Sequence, residues 1–161
     1  MNKETFSAKR ASLSYRQTIE APATAVFPLI CPVREAEWLE GWACTLLHSK
    51  SGFAEEGCVF TSQHEGERDT VWLITKHDEV EKVVEFARLT PGSRIAKLRV
   101  AIEDAAAGTS QIDITYDFTG LSEEGNRFIE EFAGEKFEQA MKFWEDSMNY
   151  YLKTGKQLKT D

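Results

Sequence analysis

The sequence predicts an α+β domain in which a seven-stranded antiparallel sheet packs against one long C-terminal helix, with two short helices after strand 1. Two observations support this prediction. Apolar and polar residues alternate in seven segments, and connections too short for parallel crossovers join the last six. In "ITYDFTGLSEEGNRFIEEF" (114–132) the apolar repeat then changes from every second residue to every third or fourth, so a strand leads into a helix.

The first strand and the two short helices occupy the N-terminal part of the chain. One face of the predicted strand carries Leu13, Tyr15, Gln17 and Ile19. After Pro22, the segment "ATAVFPLI" (23–30) predicts a short helix that Pro28 ends or bends. The segment "REAEWLEGW" (34–42) predicts a second, which Gly41 closes. Trp38 and Trp42 share one face of it, so we expect them to pack on the sheet as a lid or as part of the core.

Six further strands follow, separated by turns that contain glycine or charged residues. They are predicted at Cys44–His48, Cys58–His64, Thr70–Lys76, Val80–Leu89, Ile95–Glu103 and Gln111–Thr119. The turn "TPGS" (90–93) requires a three-residue loop or a bulge. A two-residue loop would place Lys97 opposite Phe86, on the wrong face of the sheet.

The last predicted element is a helix over residues 123–153. Ser122 is a suitable N-cap, and Gly155 a suitable stop. An apolar stripe at helical spacing needs a wide apolar partner, which only the sheet supplies: Phe128, Phe132, Phe137, Met141, Trp144, Met148, Tyr151 and Leu152. Gly134 interrupts this helix, and it permits close approach to the sheet, allows a bend, or simply lies on the solvent face.

The composition excludes several classes of function. The 161 residues suffice for one domain, and 42% apolar with 29% charged residues are typical of a soluble globular protein. A formal net charge of −8 without a basic face argues against nucleic acid or an anionic membrane as partner. The first seventeen residues lack the apolar core of a signal peptide and no segment has membrane-spanning length, so we expect a cytoplasmic protein. We expect an arm over residues 1–12, the domain over 13–155 and a tail over 156–161.

The cysteine and histidine residues predict neither a disulfide nor a metal site. Cys31, Cys44 and Cys58 are an odd number without CxxC spacing, and we expect them to be reduced and mostly buried. Four residues of metal-binding type share one strand parity, namely Cys44, His48, Cys58 and His64. Residues four apart on a strand lie about 13 Å apart, which is too far for one ion. A GxSxG elbow and a Gly-rich phosphate loop are also absent from the sequence, so no metal or nucleotide cofactor is predicted.

The order of elements resembles the helix-grip fold of the START-like, or SRPBCC, superfamily. The segments that carry the resemblance are "YRQTIEAPATAVFPLI", "VWLITKHDE", "VVEFARLTPGSR" and "GTSQIDITYDFTGLSEEGN". This superfamily includes pollen-allergen-like proteins, polyketide cyclases and aromatases, lipid-transfer domains and chaperone activators. The resemblance implies a curved sheet wrapped around the long helix and a deep cavity between them, often holding an apolar ligand. It does not imply one chemistry, because members share architecture without sharing function.

Placing the strands side by side about their turns predicts three cross-strand rows on the inward face. The first row is Phe60, Ile74, Val84, Val100 and Ile114. The second is Ser62, Trp72, Phe86, Leu98 and Tyr116. The third is His64, Thr70, Arg88, Ala96 and Phe118. The first two rows are almost wholly apolar, whereas the third brings three polar groups to one end of the face.

Together these rows and the helix predict the following ligand-binding residues: Phe60, Ser62, His64, Thr70, Trp72, Phe86, Arg88, Leu98, Tyr116, Phe118, Phe128 and Phe132. Arg88 suits a carboxylate or a polarised carbonyl, because its guanidinium donates two parallel hydrogen bonds. An alternative is that the third row is only the solvated end of the sheet, with Arg88 paired to an acidic residue.

Three hypotheses about function remain open. The first is a protein that binds a small apolar or amphipathic molecule, as a monomer or a homodimer. The second is an enzyme of the cyclase, dehydratase or hydrolase type, with His64 as general base and Tyr116 or Arg88 stabilising a developing enolate. The third is a protein-interaction module of the chaperone-activator type.

Overall fold

The computed structural model of the protein describes residues 5–63 and 69–160. Its strands are β1 Arg10–Ile19, β2 Cys44–His48, β3 Val59–Ser62, β4 Thr70–Asp78, β5 Val83–Thr90, β6 Arg94–Asp104 and β7 Ser110–Gly120. They form one antiparallel sheet in the order β1-β7-β6-β5-β4-β3-β2, which confirms the predicted meander. The helices are α1 Ala23–Val26, α2 Pro32–Trp38, α3 Glu123–Phe132 and α4 Glu135–Thr154, with a 3-10 turn at Phe27–Leu29.

Strands β5, β6 and β7 pair in the predicted register. Phe86 lies opposite Leu98, and Leu98 opposite Tyr116. Thr90 pairs with Arg94 around a three-residue turn in which Gly92 has a φ of 74°. This confirms the three-residue loop that the alternation required, and it places these strands' apolar residues on the inward face.

The registers of β3 with β4 and of β4 with β5 differ from the prediction by two residues. Phe60 lies opposite Trp72 rather than Ile74, and Trp72 opposite Arg88 rather than Phe86. The β4–β5 turn begins later than predicted, because Asp78 continues the strand and its carboxylate accepts the backbone N–H groups of the next turn. A bulge in β4 between residues 74 and 76 then shifts the pairing with β5 by one residue, which leaves the two-residue difference at Trp72. As a result, Arg88 shares a row with two aromatic residues.

The predicted C-terminal helix is two helices, α3 and α4. The chain turns at Gly134, whose φ of 102° and ψ of −123° lie where side chains other than glycine are strained. Of the three roles considered for Gly134, the structure shows the bend. The predicted termini are confirmed: the Ser122 hydroxyl accepts the N–H of Gly125 at 3.1 Å, and Gly155 ends α4 in a left-handed conformation.

The long helix α4 lies along the inward face of the sheet and also covers the free edge of β1. The amide of Gln17 donates to the carbonyl of Met141 at 2.9 Å, and the backbone N–H of Thr18 donates to Glu145 at 2.6 Å. Trp38 of α2 stacks on Trp144 of α4, with ring centroids 5.9 Å apart. This confirms that Trp38 packs in the core. Within the described residues, no helix is long and apolar enough to cross a membrane.

Candidate ligand-binding cavity

A cavity of about 460 Å³ separates the sheet from the helices. Its floor consists of inward side chains of β3 to β7, and its walls come from α2, α3 and α4. Seven predicted residues of the sheet line it, namely Phe60, Trp72, Phe86, Arg88, Leu98, Tyr116 and Phe118. The predicted helix residues Phe128 and Phe132 line it as well. Because the volume lies in the range of small-molecule sites, it can hold a ligand of two or three fused rings.

The wall of the cavity is mainly aromatic. Ten of the lining residues are Phe, Trp or Tyr. Trp72 stacks on Phe60 at 5.4 Å and meets Phe86 edge to face at 5.8 Å, while Tyr116 stacks on Phe118 at 5.4 Å. Rings held in place by other rings present flat, rigid surfaces, which favour a planar ligand over a flexible alkyl chain.

Arg88 lines the cavity from β5. Its guanidinium carbon lies 4.6 Å from the centroid of the Trp72 ring, so part of its charge rests on an aromatic face. The Nε of Arg88 is buried and has no hydrogen-bond partner. No carboxylate of the described residues forms an ion pair with Arg88. The alternative of a solvated Arg88 paired with an acid is therefore not what this part of the chain shows.

Tyr116 extends from β7 into the same space. Burial raises the pKa of its hydroxyl, the Arg88 guanidinium opposes this rise, and the Glu35 carboxyl adds to it. Tyr116 is therefore close to both the Arg88 guanidinium and the ionisable carboxyl of Glu35. The phenol stays protonated at neutral pH and remains a hydrogen-bond donor.

Glu35 is a cavity residue that the sequence analysis missed. It lies on α2 and lines the cavity, and the residue is half-buried. No described residue pairs with its side chain, and burial alone raises the pKa of Glu35 from 4.5 to about 8. The sequence does contain a signal for Glu35. The i, i+3, i+4, i+7 spacing of one helix face is occupied by Glu35, Trp38, Leu39 and Trp42. A carboxylate within that apolar stripe is out of place in a purely structural helix.

Helix α2 is held by the C-terminal part of the chain, which fixes the position of Glu35. The Tyr151 hydroxyl bonds the Glu37 carboxylate at 3.1 Å, and the Gln157 amide donates to the carbonyl of Ala36 at 3.1 Å. Beyond α2, the carboxylate of Glu40 accepts hydrogen bonds from the hydroxyl and backbone N–H of Thr160, which lower the pKa of Glu40. At least part of the predicted tail therefore braces the cavity wall.

Two predicted ligand-binding residues of the described part of the chain do not line the cavity. The Ser62 hydroxyl accepts a hydrogen bond from the indole Nε1 of Trp72 at 2.8 Å. The Thr70 hydroxyl bonds that of Thr90 at 3.0 Å and is buried. The two-residue register difference explains both positions, since it places Trp72 rather than Thr70 beside Arg88. His64 lies outside the described residues.

The described cysteines are buried or partly buried thiols, as expected. Burial raises the pKa of Cys58 to about 11 and also raises the pKa of Cys44, so both thiols are protonated and poor nucleophiles. No group of three potential metal ligands occurs within residues 5–63 and 69–160. Trp42 packs edge to face on Trp72 at 6.1 Å and lines the cavity, as the expected lid or core cluster does.

Known structures similar to this one share its architecture at low sequence identity. A truncated norcoclaurine synthase from Thalictrum flavum has a TM-score of 0.70 at 9% identity, covering 93% of this chain and 98% of its own. The Zhui aromatase/cyclase from Streptomyces sp. R1128 has a TM-score of 0.65 at 12% identity, covering 90% and 94%. Ara h 8.0201 has a TM-score of 0.63 at 12% identity, covering 91% and 100%.

Sequence-level comparisons add nothing to this likeness, since no protein-family model and no curated protein matches the chain. Two of these neighbours are named for different reactions, and identities of 9% to 12% carry information about the fold alone. The chain therefore has the helix-grip fold of START-like proteins, as the sequence resemblance implied.

Proposed function

We propose that the protein binds a small, flat, apolar or amphipathic molecule in the cavity between sheet and helices. The observation that carries this proposal is the combination of ten aromatic lining residues with two ionisable side chains, Glu35 and Arg88, neither of which forms an ion pair with a described residue. An apolar pocket with few polar groups is the usual form of a small-molecule site. A structural neighbour supports the proposal, because a norcoclaurine synthase at 8% identity and a TM-score of 0.69 forms a complex with dopamine and hydroxybenzaldehyde.

The first test is native mass spectrometry of freshly purified protein, repeated after denaturation. An added mass that leaves on denaturation identifies an occupant of the cavity. If the mass is that of the bare chain, binding is measured with 2-acetylnaphthalene, a flat neutral ketone. Quenching of tryptophan fluorescence reports this binding, because Trp42, Trp72 and Trp144 line the cavity. Failure of this ketone and of larger aromatic dyes to bind would contradict the proposal.

Filling the cavity should abolish binding. Ala140 lines the cavity from α4, so the phenyl ring of Ala140→Phe would enter the space that the ligand occupies. We expect at least about tenfold weaker binding of 2-acetylnaphthalene, with the thermal midpoint little changed because the ring enters an existing void. Lys136→Phe places the same ring on the exposed face of α4 and serves as the matched control. Equal binding by the two variants would place the ketone elsewhere.

A second candidate function is acid–base catalysis in the same cavity, and Glu35 is the observation that favours it. The hypothesis with His64 as base depended on a residue outside the described part, whereas Glu35 lines the cavity and has a pKa of about 8. A base whose pKa lies near the working pH transfers protons efficiently. In the step considered, a C–H bond beside a carbonyl breaks, its proton passes to Glu35, and the electron pair moves to the enolate oxygen. Arg88 and Tyr116 would stabilise that oxygen, and the enolate carbon could then attack a second carbonyl.

Proton exchange tests this chemistry without knowledge of the substrate. We expect the wild-type protein to catalyse exchange of the methyl protons of 2-acetylnaphthalene in D₂O, with a rate that rises with pH and levels above about pH 8 as Glu35 ionises. Glu35→Gln should lower this rate by about 100-fold or more while the ketone still binds. NMR follows the loss of the methyl signal. Equal exchange by both proteins would remove Glu35 from the role of base and leave the binding proposal standing.

The interaction-module hypothesis receives less support than these two. A cavity filled by side chains would have favoured it, whereas this cavity is open. The exposed apolar side chains of the described residues lie on several different strands, helices and turns, among them Leu47, Val80 and Leu121. Single exposed apolar residues are common on protein surfaces and need no partner.

A further inference from the structure

We infer that the ligand of this cavity is an aromatic acid bound as its anion, with the acidic oxygens on Arg88 and the ring against the aromatic wall. This inference rests on the proposed binding function and names the chemical class of the ligand. It depends on the signs and positions of the charges that line the cavity and on what each of them contacts.

Arg88 supplies a positive charge that the described residues leave unneutralised. Its Nε is buried without a hydrogen-bond partner, and no carboxylate of these residues pairs with it. Arg88 lines the cavity, so an acidic group of a ligand there can neutralise the guanidinium charge. The guanidinium fork matches a carboxylate, because two parallel N–H groups meet two oxygens.

The acidic residues of the cavity do not cancel this preference. Glu35 is uncharged over most of the neutral range, because burial raises its pKa to about 8, so it does not repel an anion. Glu40 is charged, but it is accessible to solvent and its carboxylate is already bound by Thr160. Tyr116 is protonated and can donate to the same anion as Arg88. A cationic ligand, in contrast, would face the permanent charge of Arg88.

The aromatic residues around Arg88 determine what carries the acid group. The guanidinium carbon lies 4.6 Å from the Trp72 ring centroid, and Trp72 is stacked on Phe60 and meets Phe86 edge to face. A carboxylate at Arg88 therefore places its substituent directly among rings. A planar aromatic substituent can pack on these rigid surfaces without losing the rotational freedom that an alkyl chain would lose.

Two probes of nearly equal shape test the inference, naphthalene-2-carboxylate and its neutral counterpart 2-acetylnaphthalene. We expect the wild-type protein to bind the carboxylate about ten- to 100-fold more tightly than the ketone near pH 7. Arg88→Met keeps the apolar stem of the side chain and removes the charge, so it should weaken binding of the carboxylate about ten- to 100-fold more than binding of the ketone and thereby abolish this preference. Arg99→Met is the control, since Arg99 lies on the outer face of the neighbouring strand, where it pairs with Glu85 at 3.3 Å.

The outcomes separate the inference from the proposed function. If the ketone binds as tightly as the carboxylate, or if Arg88→Met weakens both probes equally, the inference is wrong and the binding function stands. If neither probe binds the wild-type protein, both are overturned. The comparison of probes on the wild-type protein decides the matter even if Arg88→Met folds poorly, and a thermal melt of each variant detects that case.

Discussion

Replacing Glu35 by glutamine should stabilise the protein at neutral pH by at most about 4 kcal/mol, and the thermal midpoint should rise by roughly 10 °C near pH 7.5. Glutamine has the shape of the protonated carboxyl but carries no ionisable proton. The substitution therefore removes one effect, the unfavourable ionisation of a buried carboxyl, and retains the packing of α2 against the cavity.

The sign follows from the pKa of Glu35 in the two states. The carboxyl ionises near pH 4.5 in the unfolded chain and near pH 8 in the folded protein. Below about pH 4.5 it is neutral in both states, so it does not affect stability. Between these values only the unfolded state loses the proton, so the wild type becomes progressively less stable as pH rises, and above about pH 8 the full penalty applies. The groups that face Glu35, Tyr116 of β7 and Cys44 of β2, have raised pKa values and stay neutral through this range.

Thermal melts of both proteins between about pH 4 and pH 8.5 measure the effect. The difference between the two midpoints should be near zero at the acidic end and grow steadily toward the alkaline end. Glu56→Gln, at an exposed position, controls for the loss of one negative charge from a protein of formal charge −8. A difference that is constant with pH, or a destabilised Glu35→Gln, would mean that Glu35 is stabilised by a partner in the folded state.

A carboxyl that destabilises its own fold has an implication for the choice between functions. A leucine at position 35 would complete the apolar stripe of α2 and remove the penalty. Positions that sacrifice stability in this way are typical of functional sites, since a group tuned for binding or proton transfer is rarely the most stable choice. The stability profile and the proton-exchange assay are therefore two independent measurements of the same group.

The parts of the fold that the sequence predicted well are those in which two local signals agree. In β5, β6 and β7 the alternation is regular and the turn contains Pro91 and Gly92, so the face and the register follow together. The β4–β5 register was wrong because the length of that turn depends on one side chain, Asp78, whose carboxylate orders the turn by accepting two backbone N–H groups. Alternation alone does not reveal such a bond.

The candidate site was predictable where it is apolar and, apart from Arg88, unpredictable where it is polar. The aromatic floor follows from strand parity, which is a property of the chain itself. The roles of Glu35, Thr70 and Ser62 depend instead on which neighbour each polar atom contacts in three dimensions. The break at Gly134 is of the same kind, because a glycine marks a position where a bend is permitted without determining that the bend occurs.

Gly125 allows α3, which forms part of the cavity wall, to pack closely on the sheet. Replacing it by alanine should destabilise the protein by about 3 kcal/mol or more. A Cβ at this position would lie 1.6 Å from the backbone carbonyl oxygen of Ser93 and 2.5 Å from its carbonyl carbon. Ser93 belongs to the buried β5–β6 turn, and its oxygen already accepts the N–H of Leu121 at 2.7 Å. Because the clash is with backbone, relief requires the first turn of α3 to move away from the sheet.

That movement should also weaken ligand binding, because α3 carries Phe128 and Phe132 of the cavity wall. Phe128 packs under the guanidinium of Arg94, 3.3 Å from the ring centroid, so displacement of α3 breaks this contact too. Helix propensity alone predicts that Gly125→Ala stabilises the fold, since alanine in place of glycine stabilises a helix by about 0.5–1 kcal/mol. Chemical denaturation of Gly125→Ala beside Glu131→Ala, an exposed substitution on the same helix, decides between the two. A stabilised Gly125→Ala would show that α3 does not pack on the β5–β6 turn. The position of α3 as a wall of the cavity would then be wrong.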